Sequence, residues 1–406
     1  MVTLGSRPVV QFVKYMGSKA SILDFVVDGI ERVHDGGPVC DLFAGSAILS
    51  ARIGDRWPVL SNDIQEYSSH LAGVYLTAWR DGPAFPSGEE LAAEAEVLVG
   101  AHARGLPGGL DHAEGESLED FRRVEAANQA LLARRFSRRW HFFLKTYSGT
   151  WWTARQCLWI DALREVAERR RGQPCFDLAL ASLMHAMAYT SQGTGHFAQY
   201  RDAKDDSSMA DISIYRKRSV RGYFVRKYDA VAADLPLEPP AHGHEITSLD
   251  HAARLATLPP STVYADPPYV FVHYSRFYHA LETVCRYDDP AIQIKGGSVV
   301  KGRYREDRHQ SPFCIRTQVP GAFETMFRGV AASRSNLVLS YSDTGLIAFD
   351  RLRTIAEETL GADYSIEVLE AAHRHMTMGR RADRDRAVKE KLVLARRRPG
   401  RGRPGR

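Results

Sequence analysis

The segment YADPPY at residues 264–269 joins a carboxylate, two prolines and an aromatic ring directly after an apolar run. Consecutive prolines fix φ and force the preceding residue into an extended conformation, so Asp266 is held rigidly where a strand ends. A carboxylate oxygen of Asp266 and the main-chain carbonyl of Pro267 could accept both hydrogens of a planar exocyclic amine. The segment predicts a site that presents an amine to an electrophile. Its catalytic residues would be Asp266, Pro267, Pro268 and the stacking ring of Tyr269.

A second segment, DLFAGSAILS at residues 41–50, is typical of a strand that ends in an acid and turns through small residues into a helix. Such a turn places backbone N–H groups beside a ligand, and Gly45 allows its close approach. Tight packing alone is the alternative reason for the small residues. Asp63 lies 22 residues after Asp41, the spacing of an acid that binds a ribose. Capping the following helix is an alternative function of Asp63.

Strand-like and helix-like segments alternate around these motifs. The strand candidates are GGPVCDLFA, WPVLSND, HEITSLD, STVYADPPY, SNLVLSYSD and EKLVLARR, and KASILDFVVDGIERV has the apolar spacing of a helix. Short links between strands and helices predict an α/β fold with a parallel sheet and helices on both faces. We expect residues 8–82 and 236–395 to form this sheet domain. Residues 83–235 would be a largely helical insertion, and 396–406 a disordered basic tail.

Two stretches of the insertion, RRFSRRWHFF and SIYRKRSVRGYFVRKY, interleave basic and aromatic residues. This combination suits phosphates and unstacked bases, although a solvated helix face with its aromatic rings in the core is the alternative. The residues of this kind predicted to contact a nucleic acid are Arg216, Lys217, Arg218 and Arg221, and Tyr274, Arg276 and Tyr278 follow DPPY and would border the planar group that carries the amine.

Composition excludes several classes of protein. Hydrophobic residues make up 44% and charged residues 25% of the 406 residues, as in globular proteins. Five cysteines without a CxxC pair predict neither a disulfide framework nor a metal site. No apolar stretch reaches the ~18 residues of a membrane span, so we expect a soluble, cytoplasmic protein.

Taken in order, the motifs resemble the Dam-like, alpha class of DNA N6-adenine methyltransferases. The resemblance rests on VKYMGSK at 13–19, DLFAGSA at 41–47, SND at 61–63 and ADPPY at 265–269, with NLVLSYSD at 336–343 resembling a later strand. It implies a Rossmann-like methyltransferase sheet interrupted by a DNA-recognition region. It also implies methyl transfer from S-adenosyl-L-methionine to N6 of an adenine flipped out of duplex DNA.

The resemblance also implies which residues bind the cofactor. They are Tyr15, Lys19, Asp41, Phe43, Gly45, Asp63, Asp250 and Asp266. For Lys19 the alternative is a surface lysine at a helix start, and for Asp250 it is helix capping. The chain departs from the family at Ala47, where relatives usually have a second glycine, and a methyl group there could crowd the cofactor or only shift the packing of the helix.

The implied partners are double-stranded DNA and, if the chain is part of a restriction–modification system, a cognate restriction endonuclease. Neither a membrane nor a metal ion is implied. Two alternatives stay open, because DPPY can position any planar amine. One is an amino methyltransferase acting on cytosine N4 or on RNA, and the other is a catalytically silent DNA-binding relative.

Overall fold

A computed structural model describes residues 10–17, 19–80, 82, 85–136, 140–193, 195–269, 271, 273–376 and 385–399. Seven strands form one sheet: β1 (Val39–Asp41), β2 (Val59–Asn62), β3 (Glu245–Thr247), β4 (Thr262–Ala265), β7 (Asn336–Ser342), β8 (Tyr364–Met376) and β9 (Asp385–Arg397). A small hairpin pairs β5 (Ile294–Lys295) with β6 (Ser298–Val299).

The order of the strands in the sheet is β3-β2-β1-β4-β7-β9-β8. Strands β3, β2, β1, β4 and β7 are parallel to their neighbours in this series, whereas β9 is antiparallel to both β7 and β8. The chain builds outward from β1 in one direction and from β4 in the other. The carboxyl ends of β1 and β4 therefore meet at a topological switch point, the usual place of ligand binding in open α/β sheets.

Helices of the sheet region are α1 (Leu23–Val33), α2 (Ile48–Ile53), α3 (Glu66–Leu76), α11 (His251–Thr257), α12 (Tyr274–Phe277), α13 (His279–Arg286), α14 (Val319–Ala332) and α15 (Phe349–Leu360). Short 3-10 turns occupy Ala20–Ile22, Ala130–Ala133, Pro312–Cys314 and Gly361–Asp363. Between α3 and β3 lie α4 (Gly88–Ala103), α5 (Leu118–Gln129), α6 (Phe142–Tyr147), α7 (Ala154–Glu168), α8 (Phe176–Thr190), α9 (Asp206–Arg216) and α10 (Val220–Asp234).

Both faces of the sheet are buried, because alternate residues of a strand point to opposite sides. On β7, Val338 packs in the cluster that contains Ile30 of α1, while Leu337 and Leu339 pack in the cluster that contains Phe323 of α14. Helices therefore cover both faces, and the predicted α/β, Rossmann-like fold is confirmed.

Most of the apolar core of the helices between α3 and β3 is continuous with the core of the sheet domain, while a small separate cluster lies between α5 and α9. Trp151 and Trp152, both fully buried, belong to the same apolar cluster as Ile30 of α1 and Val39 of β1. Capping boxes start three of these helices, for example at Ser87 and Glu90 of α4. The helical region thus packs against the sheet domain through α3 and α13, which both contact α8.

Two features of the C-terminal part differ from the expectations. The sheet is mixed rather than wholly parallel, because the predicted last strand, β9, runs antiparallel and pairs with β8, which was not predicted. Arg396 and Arg397 belong to β9, paired with Ser365 and Tyr364, so the basic tail cannot begin at 396. Residues 400–406 of that predicted tail lie outside the described residues.

In the part of the chain that the structure describes, no helix combines the length and the apolar character that crossing a membrane requires.

Candidate active site

A cavity of about 360 Å³ opens where the carboxyl ends of β1 and β4 meet. This volume lies in the range of small-molecule sites. All the residues predicted from the sequence to bind the cofactor or act in catalysis line it: Tyr15, Lys19, Asp41, Phe43, Gly45, Asp63, Asp250, Asp266, Pro267, Pro268 and Tyr269. Segments more than 200 residues apart in the sequence therefore share one space.

The Gly45 turn between β1 and α2 is built around a close aromatic contact. Gly45 has a φ of 54°, and a Cβ at this position would lie 2.9 Å from the ring of Tyr15. Asp63 accepts hydrogen bonds from the backbone N–H of Gly45 at 2.9 Å and of Gln65 at 2.8 Å. Asp63 thus holds the Gly45 turn and binds the backbone just before α3. It lines the cavity and also stabilises the local backbone.

Ala47, two residues after Gly45, has a φ of 56° at the N-cap of α2. A left-handed conformation costs a non-glycine residue roughly 1–2 kcal/mol, which is why a glycine suits this position. The methyl group of Ala47 is fully buried in the apolar cluster beneath the turn. The departure from the family pattern therefore strains the helix start rather than filling the cavity.

Asp41 and Asp250 both accept hydrogen bonds from residues close to them in the sequence. Asp41 is 1% exposed and accepts a hydrogen bond from Ser50 Oγ at 2.7 Å, and burial raises its pKa to about 7. Asp250 is the N-cap of α11 and accepts from Ala252 N–H at 2.9 Å. The alternative function of Asp250 as a helix cap is thus present in the structure, at the rim of the same cavity.

Aromatic rings form two walls of the cavity. Tyr15 stacks on Tyr278 with ring centroids 5.0 Å apart, and Tyr274 lies 6.2 Å from Tyr15. Phe43 stacks on His251 at 5.6 Å. Tyr274 and His251 thus line the cavity, and His251 was not among the predicted site residues.

At the opposite side of the cavity, Lys19 lies between two carboxylates. Its Nζ is 3.2 Å from Asp266 Oδ1, 2.7 Å from Glu390 Oε1 and 2.9 Å from the hydroxyl of Tyr269. Glu390, on β9, is 1% exposed and also accepts a hydrogen bond from Ser340 Oγ at 2.5 Å. Lys19 is therefore not a free surface lysine, and its charge is already offset within the protein.

The sequence analysis did not identify Glu390. In the sequence it stands between two lysines, Lys389 and Lys391, which is typical of an exposed strand. Only the pairing of Glu390 with Ser342 of β7 and Ala371 of β8 reveals that the residue is interior.

Burial and charge set the protonation of this group of residues. Burial raises the pKa of Asp266 to about 6, with Lys19 lowering it and Glu390 raising it. Burial alone would lower the pKa of Lys19, but the negative charges around it, above all Asp266, outweigh burial and raise that pKa well above its ordinary value. Lys19 is therefore protonated at neutral pH, while Asp266 titrates close to the physiological range.

The predicted DNA contacts divide into different environments. Arg216 is buried and forms a bidentate ion pair with Glu125, at 3.0 and 2.6 Å, so the structure contradicts its prediction as a DNA contact. Arg221 pairs with Glu89 at 2.6 Å, which offsets its charge. The spacing of basic residues could not show that acidic side chains from α4 and α5 pack against them.

Lys217 and Arg276 are exposed, as a DNA contact would require. The Arg276 guanidinium lies 4.7 Å from the centre of the Tyr304 ring.

Arg218 belongs to a group of cations stacked on tyrosine rings, which we call the tyrosine–arginine surface. Its members are Lys14, Tyr189, Tyr215, Arg218, Tyr223 and Arg226. Tyr189 and Tyr223 stack at 5.7 Å, and the guanidinium of Arg226 lies 4.8 Å from the centre of the Tyr223 ring. Lys14 lies over Tyr189 at 5.5 Å and directly precedes Tyr15 of the cavity. Among the described residues, no carboxylate forms an ion pair with these three cations.

Within the described ranges, no group of histidine, cysteine and acidic side chains could hold a metal ion. His279 and Glu282 are both buried: His279 Nε2 lies 3.2 Å from the carbonyl oxygen of Phe197, and Glu282 accepts from the backbone N–H of Tyr67.

Fold and cavity together define a Rossmann-like α/β protein whose DPPY segment faces a cavity of small-molecule size. Comparison with known proteins adds a family match over part of the chain. Residues 15–96 match the model of the D12 class N6 adenine-specific DNA methyltransferases. The predicted resemblance to adenine-specific DNA methyltransferases is therefore confirmed.

Individual relatives agree with this match. The chain is 24% identical over 352 residues to the type II methyltransferase M.FokI of Planomicrobium okeanokoites, which covers 84% of this chain and 46% of that protein. It is 22% identical over 374 residues to the modification methylase LlaI of Lactococcus lactis subsp. lactis, with coverages of 87% and 50%. The type II methyltransferase M.NlaIII of Neisseria lactamica is 28% identical over 145 residues, or 34% of this chain and 41% of that protein. The chain spans about half the length of the first two relatives.

The contact between Gly45 and Tyr15 generates a test of the binding turn. In Gly45→Ala, the new methyl group displaces the Tyr15 ring and the left-handed backbone costs roughly 1–2 kcal/mol. Because the displaced Tyr15 ring lines the cavity, we expect the affinity for S-adenosylmethionine, measured by isothermal titration calorimetry, to fall about tenfold or more, which corresponds to about 1.4 kcal/mol of binding free energy.

Gly115→Ala is the matched control. Gly115 also has a positive φ, of 69°, but nothing lies within 4 Å of its Cβ position, so the variant has the backbone strain without the contact. Equal cofactor affinity in Gly45→Ala and Gly115→Ala would contradict the proposed binding turn.

Proposed function

We propose that the chain transfers a methyl group from S-adenosylmethionine to N6 of an adenine in duplex DNA. The observation that carries this proposal is the shared cavity, in which Asp266–Tyr269 from the end of β4 face the Gly45 turn and Asp63 from β1 and β2. The family match and the relatives support the same reaction.

The residues of the cavity fit this cofactor. Asp63 and Asp266 are carboxylates facing the space, and the one lysine among the lining residues is offset by two carboxylates, so the environment favours a cation. Tyr15 and Phe43 supply faces for a planar ring, and the missing side chain at Gly45 leaves room for the Tyr15 ring at the cavity. When bound, S-adenosylmethionine supplies a methyl group already activated by a sulfonium.

The chain's own residues then need to align the amine and offset its developing positive charge. Asp266 accepts one hydrogen of the adenine amine and the carbonyl of Pro267 accepts the other, which directs the nitrogen lone pair toward the methyl group. Tyr269, whose ring packs against Tyr341 at 5.0 Å, offers a fixed wall for the base. Alignment of this kind can supply ~7–11 kcal/mol in a favourable case, and no covalent nucleophile is required.

The adenine has to leave the helical stack, which costs a few kcal/mol. We propose that residues 83–235 form the DNA-recognition region, and that the tyrosine–arginine surface binds backbone phosphates. Its three cations have no carboxylate partner among the described residues, and Lys14 connects the surface to the cavity through Tyr15. Lys217 and Arg276 are further exposed cations available to the DNA.

The relatives are described as type II methyltransferases and a modification methylase. We therefore propose that the chain is the modification component of a restriction–modification system, with a cognate endonuclease as its partner in the cytoplasm. Cleavage of unmodified but not of methylated DNA by an extract of the source cells would support this partner.

The central test is the identity of the methylated nucleoside. After incubation with labelled S-adenosylmethionine and duplex DNA, we expect label in N6-methyladenine. Label in N4-methylcytosine or in RNA alone would replace the proposed substrate, and DNA binding without transfer would show a silent relative. In Asp266→Asn, we expect kcat to fall by about 10³-fold or more because the amine loses its charged acceptor.

A matched control for Asp266→Asn is Asp234→Asn, which removes an exposed carboxylate at the end of α10. Both variants should keep the wild-type circular dichroism spectrum. Wild-type turnover in Asp266→Asn would contradict the assigned function of Asp266.

The tyrosine–arginine surface predicts a difference between two arginines of the same helix. Arg226→Gln removes a cation without a carboxylate partner among the described residues, whereas Arg221→Gln removes one already paired with Glu89. We expect Arg226→Gln to weaken DNA binding for every sequence and to reduce the slope of log Kd against log salt by about one. Fluorescence anisotropy at several salt concentrations measures both quantities, and an equal or larger effect of Arg221→Gln would contradict the proposed surface.

A further inference from the structure

A buried carboxylate that the proposed mechanism does not use, Glu390, lies behind the residues that hold the amine. It continues the row Leu394, Leu392, Glu390 on one face of β9, because alternate residues of a strand share a face. The two leucines are in the apolar core, whereas Glu390 is next to Ser342, where β7 ends at the cavity. A charged residue thus occupies the position of this row closest to the site.

Glu390 and Asp266 accept the same ammonium. Lys19 Nζ is closer to Glu390, at 2.7 Å, than to Asp266, at 3.2 Å. Ser340 donates a 2.5 Å hydrogen bond to the same Oε1 of Glu390, which fixes the carboxylate. With all three groups ionised, the cluster has one positive and two negative charges, so Lys19 does not neutralise Asp266 by itself.

A fully buried carboxylate is costly for stability, and apolar residues of similar size often replace buried ion pairs without loss. Neighbouring positions of β9 show this choice, because Leu392, Val393 and Leu394 are all buried and apolar. Stability therefore gives little reason for a glutamate here, and the contacts of Glu390 lead directly to Asp266 through Lys19.

We propose that Glu390 is a positioning residue for methyl transfer: by binding the Lys19 ammonium, it leaves an oxygen of Asp266 free to accept the adenine amine. This inference rests on the proposed function of Asp266. Without Glu390, Lys19 would be drawn fully to Asp266 and would compete with the amine for the same negative charge. The effect would fall on the reacting complex more than on cofactor binding.

The test variant is Glu390→Gln, which keeps the size of the side chain and an oxygen that can accept from Lys19 and Ser340. We expect kcat to fall about tenfold, while KM for S-adenosylmethionine and the melting temperature stay near the wild-type values. Glu367→Gln is the matched control, because Glu367 lies on β8 of the same sheet in an exposed pair with Arg32. A wild-type kcat in Glu390→Gln, or a loss confined to KM, would overturn the proposal.

A pH profile separates positioning from a merely structural function. The negative charge of Glu390 raises the pKa of Asp266, so its removal should shift the acid limb of kcat/KM to lower pH. The other ionisable groups that act on Asp266 or are affected by it are Lys19, Tyr264, Tyr269, Tyr274 and Asp41, and Glu390→Gln changes none of their side chains. An unchanged or upward-shifted acid limb would count against the inference.

A double-mutant cycle tests whether Glu390 acts through Lys19. If it does, the effect of Glu390→Gln on kcat depends on the Lys19 ammonium. In the Lys19→Met background, Glu390→Gln should therefore lower kcat by less than about twofold. Fully additive losses would show that Glu390 acts independently of Lys19 and would overturn the proposed route.

One measurement does not depend on catalysis. The Asp266 carboxyl carbon can be titrated by NMR in protein labelled with ¹³C-aspartate, with Asp266→Asn identifying the signal. We expect the pKa of Asp266 to be lower in Glu390→Gln than in wild type. If wild type transfers no methyl group to adenine, the proposed function fails, whereas an unchanged Asp266 titration overturns the coupling to Glu390 whatever the substrate.

Discussion

The parallel pairing of β1 with β4 is the constraint on which the site depends. Asp41 lies beside Tyr264 in this pair, although the two residues are 223 positions apart in the sequence. Because both strands run the same way, their carboxyl ends open at one edge and the following turns diverge to opposite sides. The Gly45 turn and the DPPY segment therefore face each other across the cavity, although the long helical region between β2 and β3 separates them in the sequence.

The turn around Gly45 shows how local strain is accepted to bring an aromatic ring close. Gly45 and Ala47 both have positive φ, and only the first has no side chain to place. Tyr15 fills the space beside Gly45, and Asp63 ties the Gly45 N–H to the end of β2. Ala47 retains its conformational cost because its methyl group is packed in the core, so the departure from glycine is a matter of helix stability and not of access to the cavity.

Much of the fold and most of the cavity could be predicted from the sequence, because their signals are local. Proline pairs, small-residue turns and apolar strands act within a few residues, so Asp266, Gly45 and Asp63 were identified correctly as neighbours in space. The missed features depend on distant partners. Glu390 is buried only by pairing with β7 and β8, and Arg216 is neutralised by Glu125, 91 residues earlier. For the same reason β8, a half-exposed strand containing Glu367 and Glu370, was not predicted.

The distribution of charge also explains how one protein could bind a cation and a polyanion. Asp63 and Asp266 line the cavity, and Glu390 lies behind it. The low dielectric of a buried site strengthens both the attraction of these carboxylates for a positive ligand and their repulsion of phosphate. The cations of the tyrosine–arginine surface lie outside it, with rings rather than carboxylates as neighbours. Lys19 is the exception, a cation inside the cavity, and its position between two carboxylates makes it part of the negative site. Under the proposed function, we therefore expect the surface to attract a backbone phosphate and the cavity to repel it, whereas a neutral base can enter and meet Asp266.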